Sequence, residues 1–141
     1  MKRRFPLVFA AIAIASPLVS GCASGRGEPF QSSMLQADQA VIYVFRTSSS
    51  RVRKRPVQVF VNQAPLSELY PGEYIEDVVT PGEYLVRVES ESSMVRSVKL
   101  NPGDVIYLQI TTVGLNKKPV METPESDLAR RLIAGTTRAQ P

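Results

Sequence analysis

Pro81-Gly82-Glu83-Tyr84-Leu85-Val86-Arg87-Val88-Glu89 decides the fold of this chain. Proline sets φ at the first central position of a turn and glycine supplies positive φ at the second, so Pro81-Gly82 predicts a type II turn. Behind it, Tyr84, Val86 and Val88 alternate with Leu85, Arg87 and Glu89, the period-two pattern of a strand with one buried face. The same punctuation recurs at Pro71-Gly72-Glu73-Tyr74 and Pro102-Gly103-Asp104, each directly before a strand-like run. The two PGEY copies begin ten residues apart. That is too close for a packed repeat unit, so they read as recurrent turn chemistry.

Outward from this stretch, other runs carry the same texture. Ala40-Val41-Ile42-Tyr43-Val44-Phe45 is apolar on both faces, which predicts a central strand covered on both sides. Val57, Val59 and Val61 alternate with Gln58, Phe60 and Asn62, and Ile106, Leu108 and Ile110 with Tyr107, Gln109 and Thr111. Tyr74 to Val79 predicts a less regular strand, and Arg96 to Leu100 a short, charged edge. Together they predict an all-β fold, an antiparallel β-sandwich of about six to seven short strands. One C-terminal helix is expected after Thr123-Pro124-Glu125-Ser126-Asp127, with threonine as cap, proline at the first position and acids at the positive dipole end. Arg130, Arg131 and Gly135 mark its end, and Leu128, Leu132 and Ile133 its apolar stripe. The sandwich domain with its helix is expected over 40–135, and 136–141 as a frayed tail.

Lys2, Arg3 and Arg4, followed by the apolar run Phe5 to Val19, give the charged and apolar regions of a secretory signal. Val19-Ser20-Gly21-Cys22 then resembles the lipobox of bacterial lipoproteins. The resemblance implies cleavage between Gly21 and Cys22, and lipidation of Cys22, the only cysteine. A transmembrane helix needs about 20 apolar residues, whereas this run is shorter and broken by Pro6 and Pro17. An ordinary signal cut near Ala23 is the alternative; it leaves Cys22 on the discarded peptide or as an odd thiol. Residues 1–21 are thus expected as signal peptide and 22–39 as a flexible tether, spanning roughly 20–25 Å as a coil. Ala23 stands where aspartate would retain an enteric lipoprotein in the inner membrane. The expected place is therefore the outer membrane, facing the periplasm.

Composition excludes several function classes. The 141 residues carry 17 basic and 13 acidic side chains, no histidine and no tryptophan. Without Lys2, Arg3 and Arg4 the balance falls to 14 against 13, so the basic isoelectric point of about 9.5 gives no support to nucleic-acid binding. With no histidine, and Cys22 acylated, a zinc site lacks its usual ligands. No metal or other cofactor is expected.

Arg51-Val52-Arg53-Lys54-Arg55 is the densest charge feature beyond the signal. Arg51, Arg53, Lys54 and Arg55 are candidate contacts for an acidic partner or for phosphate headgroups; a solvated loop would carry the same pattern. No aromatic residue interleaves them for base stacking. Glu73, Glu76, Asp77 and Glu83 are candidate paired carboxylates for glycan hydrolysis, which needs two about 5–9.5 Å apart, although glutamate after Pro-Gly is also ordinary turn composition. A Ser-Lys pair would need Lys54 or Lys99 as base. Tyr43, Tyr70, Tyr74, Tyr84 and Tyr107 could line one sandwich end as a sugar or peptide platform, or pack in the core and at its rim.

Tyr43-Val44-Phe45-Arg46, Val57 to Ala64, Gly72-Glu73-Tyr74, Pro81 to Val88 and Gly103 to Tyr107 together resemble bacterial lipoproteins carrying the domain of unknown function 2846. The pattern covers about half of the chain; Asn62-Gln63 stands where an Asp-Gly turn is more usual. The resemblance implies an envelope lipoprotein sandwich and brings no catalytic residues. The expected function is a lipid-anchored, non-enzymatic cell-envelope lipoprotein, acting as a binding or assembly module. Its expected partners are the membrane, through Cys22, and an envelope protein. The alternatives are a glycan or small-ligand binder and, behind it, a cell-wall glycan hydrolase.

Overall fold

The computed structural model describes residues 27–49, 55–90, 92–113 and 118–141. In chain order these form β1 (Ala40–Phe45), β2 (Val57–Val61), β3 (Ala64–Leu69), β4 (Glu73–Val79), β5 (Gly82–Glu89), β6 (Ser93–Leu100), β7 (Val105–Val113), β8 (Lys118–Glu122), α1 (Ser126–Ile133) and β9 (Thr137–Arg138). The fold is mostly β, in two sheets with one C-terminal helix. One sheet has the order β8-β7-β1-β4-β9 and the other β3-β2-β5-β6.

Alternation places the core between the sheets. Ile42, Val44, Ile75, Leu108 and Ile110 from the five-stranded sheet meet Val57, Val59, Val61, Val86, Val88, Val98 and Leu100 from the other. The opposite face of the five-stranded sheet has a core of its own. Val41, Tyr43, Phe45, Tyr74 and Tyr107 lie there under Ala129 and Ile133 of α1 and under Phe30 and Leu35 of the N-terminal segment. This explains why every residue of β1 is buried: both of its faces are covered, as its unbroken apolar run predicts.

The structure departs from the sequence reading at several points. Nine strands form among the described residues, rather than six or seven. The additions are β3, β8 and the two-residue β9. Pro65 and Pro119 mask the first two in sequence, and both sit on edge strands, where a missing N–H faces away from the ladder. Nor is the sandwich wholly antiparallel: β1 runs parallel to β7, with Val44 opposite Leu108, and β4 parallel to β9. The chain passes through the second sheet between β1 and β7, supplying the long crossover that parallel neighbours need.

Gly72 and Gly103 take positive φ, at 84° and 83°, as their Pro-Gly turns require. Gly82 instead opens β5, opposite Leu100, while the Thr80 carbonyl accepts from the Tyr84 hydroxyl at 2.6 Å. The helix starts at Ser126 with Glu125 as N-cap and no side-chain cap, so Thr123 and Pro124 precede it. Its buried stripe is Ala129 and Ile133, while Leu128 is 47% exposed.

Both ends of the domain reach further than expected. Thr136, Thr137 and Ala139 are buried, and β9 extends the sheet where a frayed tail was expected. Of the expected tether, residues 22–26 lie outside the described residues. Glu28 to Leu35 is instead a strap laid on the sheet. The Glu28 carbonyl accepts from Arg138 N at 2.7 Å, and Phe30 N donates to the Thr136 carbonyl at 3.1 Å. A Cβ on Gly27 would fall 1.9 Å from the Arg138 carbonyl oxygen, so only glycine lets the chain pass so close. The cause of the strap's order is Phe30, which fills a gap between Tyr43 and Tyr74 edge-on, at 5.3 and 5.1 Å.

Candidate functional site

Gly21 and Cys22, the expected cleavage and lipidation residues, lie outside the described residues, as do Arg51, Arg53 and Lys54 of the basic loop. Arg55 is described and exposed. Its carbonyl accepts from Arg46 Nη1 at 2.9 Å, and the same nitrogen donates to the Leu69 carbonyl at 2.9 Å. Arg46 continues the inward row of Ile42 and Val44, so a fully buried guanidinium closes that end of the core and joins β1 to the opposite sheet. Burial pulls its pKa down, and the buried Glu73 carboxylate nearby pulls it back up. Glu73 in turn accepts from Tyr70 N at 3.0 Å. The basic loop therefore leaves and rejoins the domain beside a rigid, charged hub.

That hub lies close to the strap. Gly72 donates its N–H to the Arg46 carbonyl at 2.9 Å and accepts through its own carbonyl from Thr137 N at 3.0 Å. Glu28 and Phe30 are bonded to the residues flanking Thr137, so the strap enters at the same end of the sandwich from which the loop emerges.

The four carboxylates do not converge. Glu73 and Asp77 point inward from β4, in the row of Ile75 and Val79, and Glu76 points outward between Tyr74 and Val78, because successive strand residues face opposite sides. Glu76 accepts from Ser33 Oγ at 2.6 Å and from Arg138 Nη2 at 2.9 Å. Asp77, half-buried, has its carboxyl pushed above the usual range by burial. Glu83 is exposed at the start of β5, opposite Lys99. Among the described residues, no three His, Cys, Asp or Glu side chains come together as a metal would require, and no helix is long and apolar enough to cross a membrane.

The tyrosines divide as well. Tyr43, Tyr74 and Tyr107 are covered by the strap and α1, with Tyr43 stacked on Tyr107 at 5.3 Å. Burial raises the Tyr43 phenol above its ordinary value, against the Ser33 N–H that its oxygen accepts, and Glu76 adds to the rise. Tyr84 lies at the far end, against the inter-sheet core. Tyr70 borders a cleft of about 380 Å³ lined by Gln58, Ser67, Glu68, Tyr70, Gln140 and Pro141. Sequence reading missed this place because Gln140 and Pro141 fall in the stretch expected to fray.

No family model matches the chain, and no curated protein matches it.

Proposed function

We propose that this chain is a lipid-anchored, non-enzymatic lipoprotein of the bacterial envelope, a binding or assembly module held on the outer membrane and facing the periplasm. The reading is carried by Lys2-Arg3-Arg4, the apolar run after them and Val19-Ser20-Gly21-Cys22. The strand-and-turn pattern similar to the domain of unknown function 2846 supports the same class. Two or three acyl chains on Cys22 would anchor it stably, since each buried methylene contributes about 0.8 kcal/mol.

The strap makes the proposed tether short. Four residues lie between Cys22 and Gly27, so the five steps of chain from one to the other span at most about 18 Å. An anchored domain would thus sit close to its membrane, with the end that bears Arg55 and the basic loop nearest the lipid. Confinement to two dimensions raises the effective concentration against any partner on that membrane, so a modest contact suffices. The division of Glu76 and Asp77 between opposite faces of β4 favours this reading over a carboxylate-pair hydrolase.

The test is Cys22→Ala with metabolic palmitate labelling and membrane fractionation. Loss of label and release from the membrane are expected; label that survives the substitution refutes the anchor. Photo-crosslinking in cells from probes at Arg55, Arg96 and Arg130 then tests the module reading. A discrete envelope protein captured from one face supports it, and the same non-specific background from all three counts against it.

A further inference from the structure

The strands that end the two sheets are guarded unequally. β3 carries Pro65, slips register between Val59 and Phe60, and is tied through Ser67 Oγ to the Gln140 carbonyl. β4 is covered by β9 at Glu73 and Tyr74, and beyond them it turns the Asp77 carboxylate inward. β8 has Pro119, and its Met121 carbonyl accepts from Arg96 Nη2 at 2.7 Å. Proline, bulges and inward charges are the devices that keep an edge from pairing. β6 has no proline and no bulge, and its register to β5 runs unbroken from Ser93 opposite Glu89 to Leu100 opposite Gly82. The one charge in its inward row, Arg96, is turned across to β8.

The direction of its outer backbone groups follows from the register. Leu85 N donates to Asn62 Oδ1 and the Leu85 carbonyl accepts from Asn62 N, so Leu85 turns its backbone towards β2. Strand neighbours alternate, so Val86 turns to β6, and its partner Arg96 turns back to β5. Val95, Ser97 and Lys99 therefore aim their N–H and C=O groups out of the edge of the sheet. No hydrogen bond to these groups is seen among the described residues. Their side chains stand on the outer face, with Val95 54% exposed, while Val98 and Leu100 fill the core. Such a row accepts an extended segment as a further strand, with main-chain bonds supplying the affinity.

Charge selects the segment. An added strand would lie about 4.8 Å from β6 and about twice that from β5. The nearest charges are then Arg96 and Lys99, both positive, while Glu83 and Glu89 stand one strand further away. A second copy paired over the whole row from Ser93 to Lys99 would set Arg96 directly against Arg96, which is unfavourable. We propose that β6 takes up an extended, acidic segment of a partner protein, antiparallel along Val95 to Lys99. Its carboxylates would stand beside Arg96 and Lys99, and an apolar side chain beside Val95. The proposal deepens the binding-module reading and rests on it for its setting in the cell.

The experiment is amide NMR on the isotope-labelled full-length protein in detergent. The probe is the end-capped peptide Thr-Glu-Val-Thr-Glu-Val-Thr, whose two glutamates fall beside Lys99 and Arg96 when it pairs antiparallel; its twin carries lysine for both glutamates. Saturable shifts centred on Val95 to Lys99 are expected with millimolar affinity. The lysine twin should bind about tenfold more weakly, as two attractions become repulsions. Ser97→Pro removes an outward N–H and no bond to β5; it should keep the thermal transition and abolish binding. N-methylation of the peptide amides that face β6 tests the same bonds without altering the protein, and should also abolish binding. Lys99→Glu should bring the two peptides level. The proposal is overturned by an acidic peptide that gives no shifts, or gives them elsewhere, and by binding that survives N-methylation or is equal for both peptides. Shifts at Val95 to Lys99 on raising the protein concentration alone would name a second copy as the occupant and overturn it too. Any such failure strikes β6 alone, because the palmitate test of Cys22 and capture from Arg55 or Arg130 decide the anchored-module reading separately.

Discussion

Glu76 and Arg138 are 62 residues apart in sequence and 2.9 Å apart in the fold. The Glu76 side chain is 9% exposed and that of Arg138 46%, and the carboxylate also takes the Ser33 hydroxyl at 2.6 Å. It thus clasps the N-terminal strap and the C-terminal strand onto one face of the sheet. The two partners differ in what their loss costs. Arg138→Ala removes a half-exposed ion pair and should cost less than about 1 kcal/mol. Glu76→Ala removes both bonds to a nearly buried acceptor and should cost about 2 kcal/mol. Urea denaturation measures both, and limited proteolysis should cut within residues 28–36 sooner in Glu76→Ala. Equal costs would mean that the Ser33 bond contributes nothing.

Much of this arrangement was legible in the residues themselves. Val57, Val59 and Val61, like Val86 and Val88, show their buried face because one side of their sheet meets water and the other the core. Ala40 to Phe45 shows two buried faces for the complementary reason. What covers the second face was not legible. Phe30 is a lone aromatic among Gly, Ser and Gln, and its order comes from Tyr43 and Tyr74, which no local pattern connects to it. Edge strands hid for a similar reason: Pro65 and Pro119 argue against strands locally, and only the sheet order makes them acceptable. The cleft at Tyr70 depends on Ser67 meeting Gln140, 73 residues away, a contact without periodicity or motif.

Arg46 should be the least replaceable charge in the domain. It is fully buried, and Glu73, beside it, is 2% exposed. Arg46→Met removes the buried cation that acts on that carboxylate and should cost about 3–5 kcal/mol. Arg46→Lys should recover little, because a single ammonium cannot reproduce the planar fork that reaches across the sheets. Arg46→Met combined with Glu73→Gln removes both charges and should be clearly more stable than Arg46→Met alone. Thermal unfolding of the three variants checks this; a double variant no better than the single one would show that the charge of Glu73 is not what Arg46 offsets.

Asp77 makes stability depend on acidity in the opposite sense to a paired carboxylate. Burial raises its pKa in the folded state, while the unfolded chain keeps a value of about 3.9. Between those two values the folded state binds more protons than the unfolded one, so this group lowers stability as pH rises through the window. The cost is fully present above the raised value and absent below the unfolded one. Asp77→Asn should therefore raise the melting temperature at pH 7, and its advantage should shrink towards zero below about pH 4. An advantage that stayed constant with pH would place its origin elsewhere than in the buried charge.

Asn62 and Gln63 join β2 to β3 with φ of 47° and 71°, the two left-handed residues of a tight hairpin turn. Both are strained as L residues, yet they should respond oppositely to glycine. Asn62 Oδ1 accepts from Leu85 N at 2.9 Å, and Asn62 N donates to the Leu85 carbonyl at 3.0 Å. The asparagine therefore fastens the turn to β5 as well as forming it. Asn62→Gly relieves the backbone but loses the side-chain bond, and should be neutral or destabilising by up to about 1 kcal/mol. No hydrogen bond from the Gln63 side chain is seen among the described residues, and left-handed geometry costs an L residue roughly 1–2 kcal/mol. Gln63→Gly removes that strain, less the greater freedom that glycine has in the unfolded chain. It should gain about 0.5–1 kcal/mol, read as a higher denaturation midpoint with an unchanged slope. If both substitutions moved stability in the same direction by the same amount, the Asn62–Leu85 bond would contribute nothing to the turn.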